Sequence, residues 1–374
     1  MKSGAAAPLV NLDAAAAMPM LPGLPDAYAE YLRQYQVNPH GVTCFAARCR
    51  QALDNAARRL LKAAGTSEER HEVIWCSSAT EALNLAIRGL DSRFHAAVLC
   101  DAGGHPALRS TISSLGPGRV LLTEYTPDGS MKIPAGAAEC TMAALTLVNS
   151  ENGGVFDGRG LTLPPGAPML LDASQGFGIH SLPWHGANPR LAVLSAHKMG
   201  ASGDTAALLL PRGMKLRPIF SGGGQQGGIR PGTIHVPGAL LMADAAEFMV
   251  SRRNELLSRY RELNALLRHG ISAIGKGAWP IFSPEDASPA LLYFAVPGYE
   301  GAIVARILAE KHDILTGTGS ACSAESRETS PLLRAMGISD DIARCALRLS
   351  FHPESTADDV RRFLEIIPGL LKEY

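Results

Sequence analysis

A lysine and an aspartate, each following a short apolar run, are the residues whose types and positions point most directly to chemistry. The run Arg190–Leu194 is followed closely by Lys198, and the pair Leu170-Leu171 is followed directly by Asp172. Both runs predict buried strands. A lysine at the end of a strand can lose hydration, which lowers the pKa of its amine and lets it hold an aldehyde as a Schiff base. Most lysines lie in solvated loops, so Lys198 alone does not establish an enzyme.

Asp172 supplies the second half of a cofactor site. An acid at the carboxyl edge of an open α/β sheet lies where such folds bind ligands. Pyridoxal phosphate requires a carboxylate against its pyridine nitrogen, because the protonated ring is the electron sink of its chemistry. Asp172 and Lys198 follow successive predicted strands, which suits the two ends of one cofactor. The sequence therefore predicts bound pyridoxal 5′-phosphate.

A third segment has the pattern of a phosphate-binding turn. Glu72–Trp75 predicts a strand, Cys76–Glu81 contains small polar residues, and apolar residues at helical spacing continue to Leu90. The free N–H groups and the dipole of a helix start bind phosphate. A simple Ser/Thr helix cap gives the same pattern, so the turn alone leaves both interpretations open.

Composition limits the class of protein. Of the 374 residues, 46% are hydrophobic, and 35 basic residues balance 35 acidic ones, so no net field favours nucleic acid or an anionic membrane. Met1–Met20 lacks an apolar run long enough for a signal peptide or a membrane span, and we expect an extended arm there. The seven cysteines form no Cys-x-x-Cys pair, which argues against a zinc site and for a reducing, cytoplasmic compartment.

Three segments together resemble one family. Ser195-Ala-His-Lys198, Asp172-Ala-Ser-Gln175 and Gly319-Ser-Ala-Cys322-Ser323 occur in the order found in cysteine desulfurases, which belong to the class V aminotransferase group of fold-type I pyridoxal phosphate enzymes. The resemblance extends from about Leu12 to the region of Arg361, which is nearly the whole chain.

The resemblance implies an architecture. We expect an α/β fold with a large cofactor-binding domain over residues 15–250, built on a mainly parallel sheet. Residues 1–14 and 251–374 would form a smaller α+β domain, with a mobile cysteine loop at about 316–331. The family's glycine-rich segment, here within 220–233, reaches into a second subunit, so the resemblance also implies a homodimer.

It further implies a role for each cofactor-binding residue. Lys198 would hold the cofactor covalently, Asp172 would pair with the ring nitrogen, and His105, which precedes a proline, would stack on the ring and relay protons. Further contacts are implied for Gln175, Ser195, His197 and Ser150 around the ring, for Ala79 and Thr80 at the phosphate, and for Thr233 at the phosphate of the partner subunit.

The substrate and the sulfur have their own residues. Ala346–Phe351 alternates like a strand and places Arg348 on the face of Ser350. An arginine can hold a carboxylate at two points, and the resemblance assigns Arg348, with Ser150, to the α-carboxylate of L-cysteine. Cys322 is the implied nucleophile, which takes the sulfur as a persulfide while L-alanine leaves.

The chain departs from the family pattern at several positions, and these keep two other interpretations open. Ser150 stands where the second asparagine of Asn-Asn-Glu is usual, and Asp13-Ala-Ala-Ala-Ala17 stands where Asp-Asn-Ala-Ala-Thr is usual. Further departures are Gln226 for glutamate, Pro231 for serine, and Phe351-His352-Pro353 after Ser350, where Gly-Arg is usual. One alternative is another class V enzyme: a selenocysteine or C–S lyase, a transaminase or an epimerase. The other is a weakly active scaffold for a sulfur carrier.

The favoured prediction is a cysteine desulfurase that passes sulfur from L-cysteine to an acceptor. The acceptor would be a sulfur-carrier protein or an enzyme of a small-molecule pathway. No membrane association, direct nucleic-acid binding or metal site is expected.

Overall fold

A computed structural model describes residues 9–91, 97–275, 279–318 and 329–373 of the chain. Its strands are β1 (Val10–Leu12), β2 (His71–Cys76), β3 (Val98–Cys100), β4 (Val120–Leu122), β5 (Glu124–Tyr125), β6 (Met131–Lys132), β7 (Met142–Thr146), β8 (Met169–Asp172), β9 (Arg190–Ser195), β10 (Ala206–Pro211), β11 (Leu291–Ala295), β12 (Ile314–Thr316) and β13 (Ala346–Ser350). Its helices are α1 (Leu24–Gln34), α2 (Cys44–Ala63), α3 (Ala79–Asp91), α4 (Pro106–Ser113), α5 (Val236–Ser251), α6 (Arg253–Ile274), α7 (Gly301–His312), α8 (Pro331–Ala335), α9 (Asp340–Ala343) and α10 (Ala357–Glu373).

A seven-stranded sheet in the order β2-β10-β9-β8-β7-β3-β4 forms the centre of the fold. All neighbours from β9 to β4 are parallel, and β10 runs antiparallel to both β9 and β2. The predicted α/β class with a mainly parallel sheet is confirmed. Because parallel strands end at the same edge, the segments that follow β3, β7, β8 and β9 meet there.

The sheet is buried on both faces, which explains its continuous apolar runs. Along β9, Leu191 and Val193 pack into the cluster that includes α3 and α4, whereas Ala192 and Leu194 pack into the larger cluster that includes α2 and α5. At about 25 cal/mol per Å² of buried apolar surface, such two-sided burial is the main stabilising term of the fold. The strand ends are therefore held rigidly.

The carboxyl-terminal part is built on two small sheets. Strands β11 and β13 form an antiparallel pair, and β1 adds in parallel to β12. The predicted strand over Ala346–Phe351 is confirmed with its alternation, because Leu347 and Leu349 enter the large core while Arg348 and Ser350 contact the amino-terminal segment. The expected arm thus enters the fold through β1.

The region between β10 and β11 contains two long helices, α5 and α6. Arg252, whose ψ of 9° lies outside the helical range, separates α5 from α6. Helix α5 is apolar around most of its circumference because it packs between α1 and α2. Within the described ranges no helix combines the length and apolar character that crossing a membrane requires.

Candidate active site

Lys198 lies in a single 3₁₀ turn that follows β9. Its Nζ donates to the carbonyl oxygens of Ala15 and Ala16 at 2.5 and 2.7 Å. Leu21 packs closely against the residues that follow this turn, since a Cβ on Gly200 would lie 2.6 Å from Leu21 Cγ. Gly200 also has a φ of +79°, which favours glycine. The amine therefore lies between the central sheet and the amino-terminal segment.

Asp172 ends the neighbouring strand β8 and is buried. Its Oδ1 accepts a hydrogen bond of 3.0 Å from the amide of Ser174. Beside it, the Ser174 hydroxyl and Gln175 Oε1 are buried polar atoms without a hydrogen-bond partner in the described part of the chain. Buried polar atoms normally have partners, so these two are ready to contact a bound group.

His105 follows β3 and caps helix α4. Its Nδ1 accepts from the amide of Ala107 at 3.1 Å, so in the neutral ring Nε2 carries the proton. Loss of hydration lowers the pKa of His105, and the nearby Lys198 charge lowers it further, while Asp172 opposes both effects. These mutual interactions bring the three residues into one cluster.

His197 joins this cluster from the turn of Lys198. Its Nδ1 lies 3.0 Å from the hydroxyl of Ser195, which is buried at the end of β9. Burial lowers the pKa of His197, and the charges of Lys198 and His105 lower it further. The neutral ring can therefore pack against a ligand without adding charge.

The amino end of α3 has the geometry of an anion site. Ser78 Oγ accepts from the amide of Glu81 at 3.2 Å, which begins the helix and leaves Ala79 and Thr80 in its first turn. The amides of a first turn have no acceptor within their own helix. Arg230 from the glycine-rich segment pairs with Glu81 at 2.7 and 3.2 Å beside this turn.

Arg348 lies on β13 and is 3% exposed. Its Nη2 donates to Asp13 Oδ1 at 2.7 Å, and its Nη1 donates to the carbonyl oxygen of Ser150 at 2.8 Å. Its Nε is buried and has no partner among the described residues. The structure therefore brings Arg348 together with Ser150, through the backbone of Ser150 rather than its hydroxyl.

Several polar residues of the site were not predicted from the sequence. Glu151 is buried, accepts a 2.5 Å hydrogen bond from Ser330 Oγ, and lies near Arg348 and Tyr293. Burial raises the pKa of Glu151, while the Ser330 hydroxyl and the Arg348 charge oppose that shift. Asp101 was missed as well. Only the position of Glu151 beside Asn149-Ser150 could have drawn attention to it.

The donor set fits pyridoxal phosphate. Lys198 offers an amine, Asp172 a buried carboxylate, Gln175 and Ser174 an amide and a hydroxyl group that can donate, and the first turn of α3 amides without an acceptor in the helix. These groups match an aldehyde, a ring nitrogen, a ring oxygen and a phosphate respectively.

Two predicted residues do not join this cluster. Thr233 is exposed and lines a surface groove beside Tyr35 and Asn38, and no contact connects it to Lys198 in the described ranges. Cys322 lies outside the described residues. Both assignments remain predictions.

Known proteins match the chain over nearly its whole length. The family model of aminotransferase class-V matches residues 10–363. A cysteine desulfurase of Gluconacetobacter diazotrophicus is 30% identical over 373 residues, covering 96% of this chain and 91% of that protein. A cysteine desulfurase IscS of Anaeromyxobacter dehalogenans is 28% identical, with coverages of 94% and 89%. A solved NifS-like protein has the same fold, with a TM-score of 0.84 at 22% identity over 98% of this chain and 100% of that one.

Proposed function

The chain belongs to the aminotransferase class-V family and, within it, to the cysteine desulfurases, and we propose that it converts L-cysteine to L-alanine with Cys322 as the sulfur acceptor. One structural observation supports this activity in addition to family membership. Lys198, Asp172 and His105 interact electrostatically where three strands of one sheet end. The amino-terminal segment that accepts hydrogen bonds from Lys198 also pairs with Arg348 through Asp13, and Arg348 Nε is buried without a partner among the described residues. A cofactor amine site and a carboxylate site thus lie together.

Each side chain has a distinct task in this reaction. Pyridoxal phosphate, when bound, supplies the electron sink that makes the Cα proton of the substrate acidic. Asp172 keeps the ring nitrogen protonated, and Gln175, Ser195 and His197 orient the ring. Ala79 and Thr80 hold the phosphate. Lys198 holds the cofactor at rest, and Lys198 or His105 Nε2 moves the Cα proton.

Arg348 orients the substrate. Its guanidinium is fixed in a plane by Asp13 and by the Ser150 carbonyl, so the substrate carboxylate meets a pre-formed donor. Ser150 has no amide to touch the ring oxygen, and its hydroxyl would reach substrate or cofactor through water.

The sulfur transfer involves only the substrate and the Cys322 thiolate, and it needs no external oxidant or reductant. The Cys322 thiolate attacks the substrate sulfur, and the new S–S bond forms as the Cβ–S bond breaks. The electron pair of that bond stays on the carbon skeleton, which takes up a proton and leaves as alanine. The persulfide on Cys322 then passes its outer sulfur to an acceptor, a carrier protein or a biosynthetic enzyme.

A mass spectrum after incubation with L-cysteine, with alanine assayed in parallel, tests the proposal. We expect one added sulfur on Cys322 together with alanine, and neither in Cys322→Ala. Cys44→Ala is the matched control, because Cys44 is an exposed thiol that should play no part. Product formation that survives Cys322→Ala would indicate another class V enzyme. Cofactor-loaded protein without adduct or product would indicate a scaffold.

Three wider assignments accompany this proposal. We propose a homodimer in which Thr233 completes the phosphate site of the partner, since Thr233 is exposed on its own subunit. We propose a cytoplasmic location, which the six free cysteines among the described residues support. We also propose the division into a large domain over residues 15–250 and a small domain formed by 1–14 and 251–374.

A further inference from the structure

A buried aspartate and tyrosine form a pair next to the cofactor site. Asp101 has no exposed surface, and Tyr125 is nearly buried. The Tyr125 hydroxyl donates to Asp101 Oδ1 at 2.8 Å across 24 positions of sequence. Burial raises the pKa of Asp101, and the nearby Asp172 charge raises it further, while its hydrogen bonds oppose that shift. Burying a carboxyl group costs free energy of folding, so a buried acid beside the site suggests a functional role.

The same carboxyl oxygen shapes the turn that leads to His105. Asp101 Oδ1 also accepts from the amide of Gly103 at 2.9 Å, and the Asp101 carbonyl accepts from Gly104 at 3.1 Å. Asn149 Nδ2 donates to the Gly103 carbonyl at 2.8 Å. A Cβ on Gly103 would lie 3.0 Å from the Tyr125 hydroxyl, so the turn and the pair are in direct contact.

One atom of Asp101 carries both contacts. Its Oδ2 has no hydrogen-bond partner of good geometry within the described ranges, although the Thr146 hydroxyl lies beside it. Both hydrogen bonds therefore need an acceptor at Oδ1, and no hydrogen bond among the described residues uses Oδ2. An asparagine can supply that acceptor and donate its amide toward Thr146.

We propose that Asp101, held by the Tyr125 hydroxyl, is a positioning residue that aims His105 at the reacting atoms. Asp101 fixes the Ala102–Gly104 turn, and the turn fixes the ring of His105, whose Nδ1 accepts from the Ala107 amide so that Nε2 is the nitrogen that carries the proton. The titratable groups that face His105 are Asp172, Lys198, His197 and Arg109. The inference rests on the proposed function, because it needs His105 to act on the cofactor and substrate.

Holoenzyme variants test this role. Tyr125→Phe removes one hydroxyl and should lower kcat about 10-fold with little change in KM, which corresponds to one hydrogen bond to a carboxylate. Asp101→Ala should lower kcat at least as much, whereas Asp101→Asn keeps the acceptor and should remain within about 3-fold of wild type. Tyr260→Phe is the matched control, since the buried Tyr260 hydroxyl has no partner in the described part of the chain.

Two readouts separate positioning from a general loss of structure. In the His105→Ala background, Tyr125→Phe should have no further effect on kcat, because the residue through which it acts is gone. In resting holoenzyme, the pH midpoint of the visible cofactor absorbance should move in Tyr125→Phe in the direction seen for His105→Ala, and stay unchanged in Tyr260→Phe.

The outcomes are distinguishable from failure of the proposed function. Equal losses for Tyr125→Phe with and without His105, or an unmoved absorbance midpoint, would overturn the positioning role. A loss in Asp101→Asn as large as in Asp101→Ala would also overturn it, since the charge rather than the acceptor would then matter. Wild-type protein that gives no alanine from L-cysteine would refute the desulfurase activity. The absorbance titration would still show whether the Asp101–Tyr125 pair acts on His105.

Discussion

At the scale of single residues, the protein keeps several ionisable groups out of water, and each needs a compensating contact. Arg348 has Asp13 and the Ser150 carbonyl, Glu151 has the Ser330 hydroxyl, and Asp101 has the Tyr125 hydroxyl. Burying an ion without such contacts costs several kcal/mol. These contacts therefore offset part of the cost of burying the groups.

His180 illustrates the same cost away from the reacting atoms. Its Nε2 lies 2.9 Å from the Ser288 hydroxyl, and burial, with Arg253 and Arg261 nearby, lowers its pKa to about 4. The folded state therefore favours the neutral ring. Its contribution to stability is present above pH 6.5 and is lost as the pH falls toward 4, because the unfolded chain takes up a proton that the native protein refuses.

We predict that His180→Gln flattens the acid side of the stability curve. Between pH 7.5 and 5, the wild type should lose about 2 kcal/mol more unfolding free energy than the variant. Urea unfolding at the two pH values measures the difference, and His269→Gln, at an exposed position, is the control. Equal losses in wild type and His180→Gln would show that this ring does not govern the effect.

At the scale of elements, close packing between a helix and a strand decides where side chains are allowed. Helix α7 begins at Gly301 directly against β13, and a Cβ there would lie 2.1 Å from the carbonyl oxygen of Ala346. Backbone atoms cannot move aside as a flexible side chain can. Gly369 in α10 is the opposite case, since nothing lies within 4 Å of a Cβ at that position.

The two glycines make a matched pair of substitutions. Gly301→Ala should lower the free energy of unfolding by roughly 2–4 kcal/mol, because α7 must shift away from the strand that carries Arg348. Gly369→Ala should raise it by about 0.5–1 kcal/mol, as alanine is the better helix former. Thermal or urea unfolding of the two variants tests both signs. A neutral Gly301→Ala would mean that α7 and β13 are not tightly packed.

Elements also determine how much the sequence could predict. Asp172 and Lys198 were predicted because an apolar run followed by polar residues marks a strand end, and strand ends of a parallel sheet meet. The Asp101–Tyr125 pair joins the end of one strand to another strand, and no periodicity reports such a contact. The same holds for Glu151 and Ser330, which lie 179 positions apart. Local patterns thus predicted positions, and only packing revealed partners.

At the scale of the whole molecule, the amino-terminal segment joins the two sides of the site. Asp13 binds Arg348 across 335 positions of sequence, the Ala15 amide donates to Ser350 Oγ, and the Ala15 and Ala16 carbonyls accept from Lys198. The segment therefore contacts both the central sheet and β13. Ala15 and Ala16 suffice for this because their contacts are made by the backbone, which explains how the chain tolerates its departure from the family pattern here.

This connection depends on the side chain of Asp13. Asp13→Asn should measure the electrostatic contribution of the Asp13–Arg348 pair, because it removes the charge and keeps the shape. The variant removes the carboxylate that pairs with Arg348, so we expect a loss of about 3 kcal/mol of unfolding free energy, toward the low end for a broken buried pair because Asp13 is 20% exposed. Asp157→Asn, in an exposed pair with Arg159, should cost less than about 1 kcal/mol.

A ligand with a carboxylate should then compensate for the lost pairing of Arg348. In Asp13→Asn, L-alanine supplies a carboxylate to Arg348, so it should raise Tm more than it does in the wild type, where Asp13 already neutralises the guanidinium. Thermal unfolding with and without L-alanine measures this, with Arg348→Ala as the variant in which the ligand effect disappears. If L-alanine raises Tm equally in wild type and Asp13→Asn, then Asp13 does not compete with the substrate carboxylate, and its role is confined to holding the amino-terminal segment against β13.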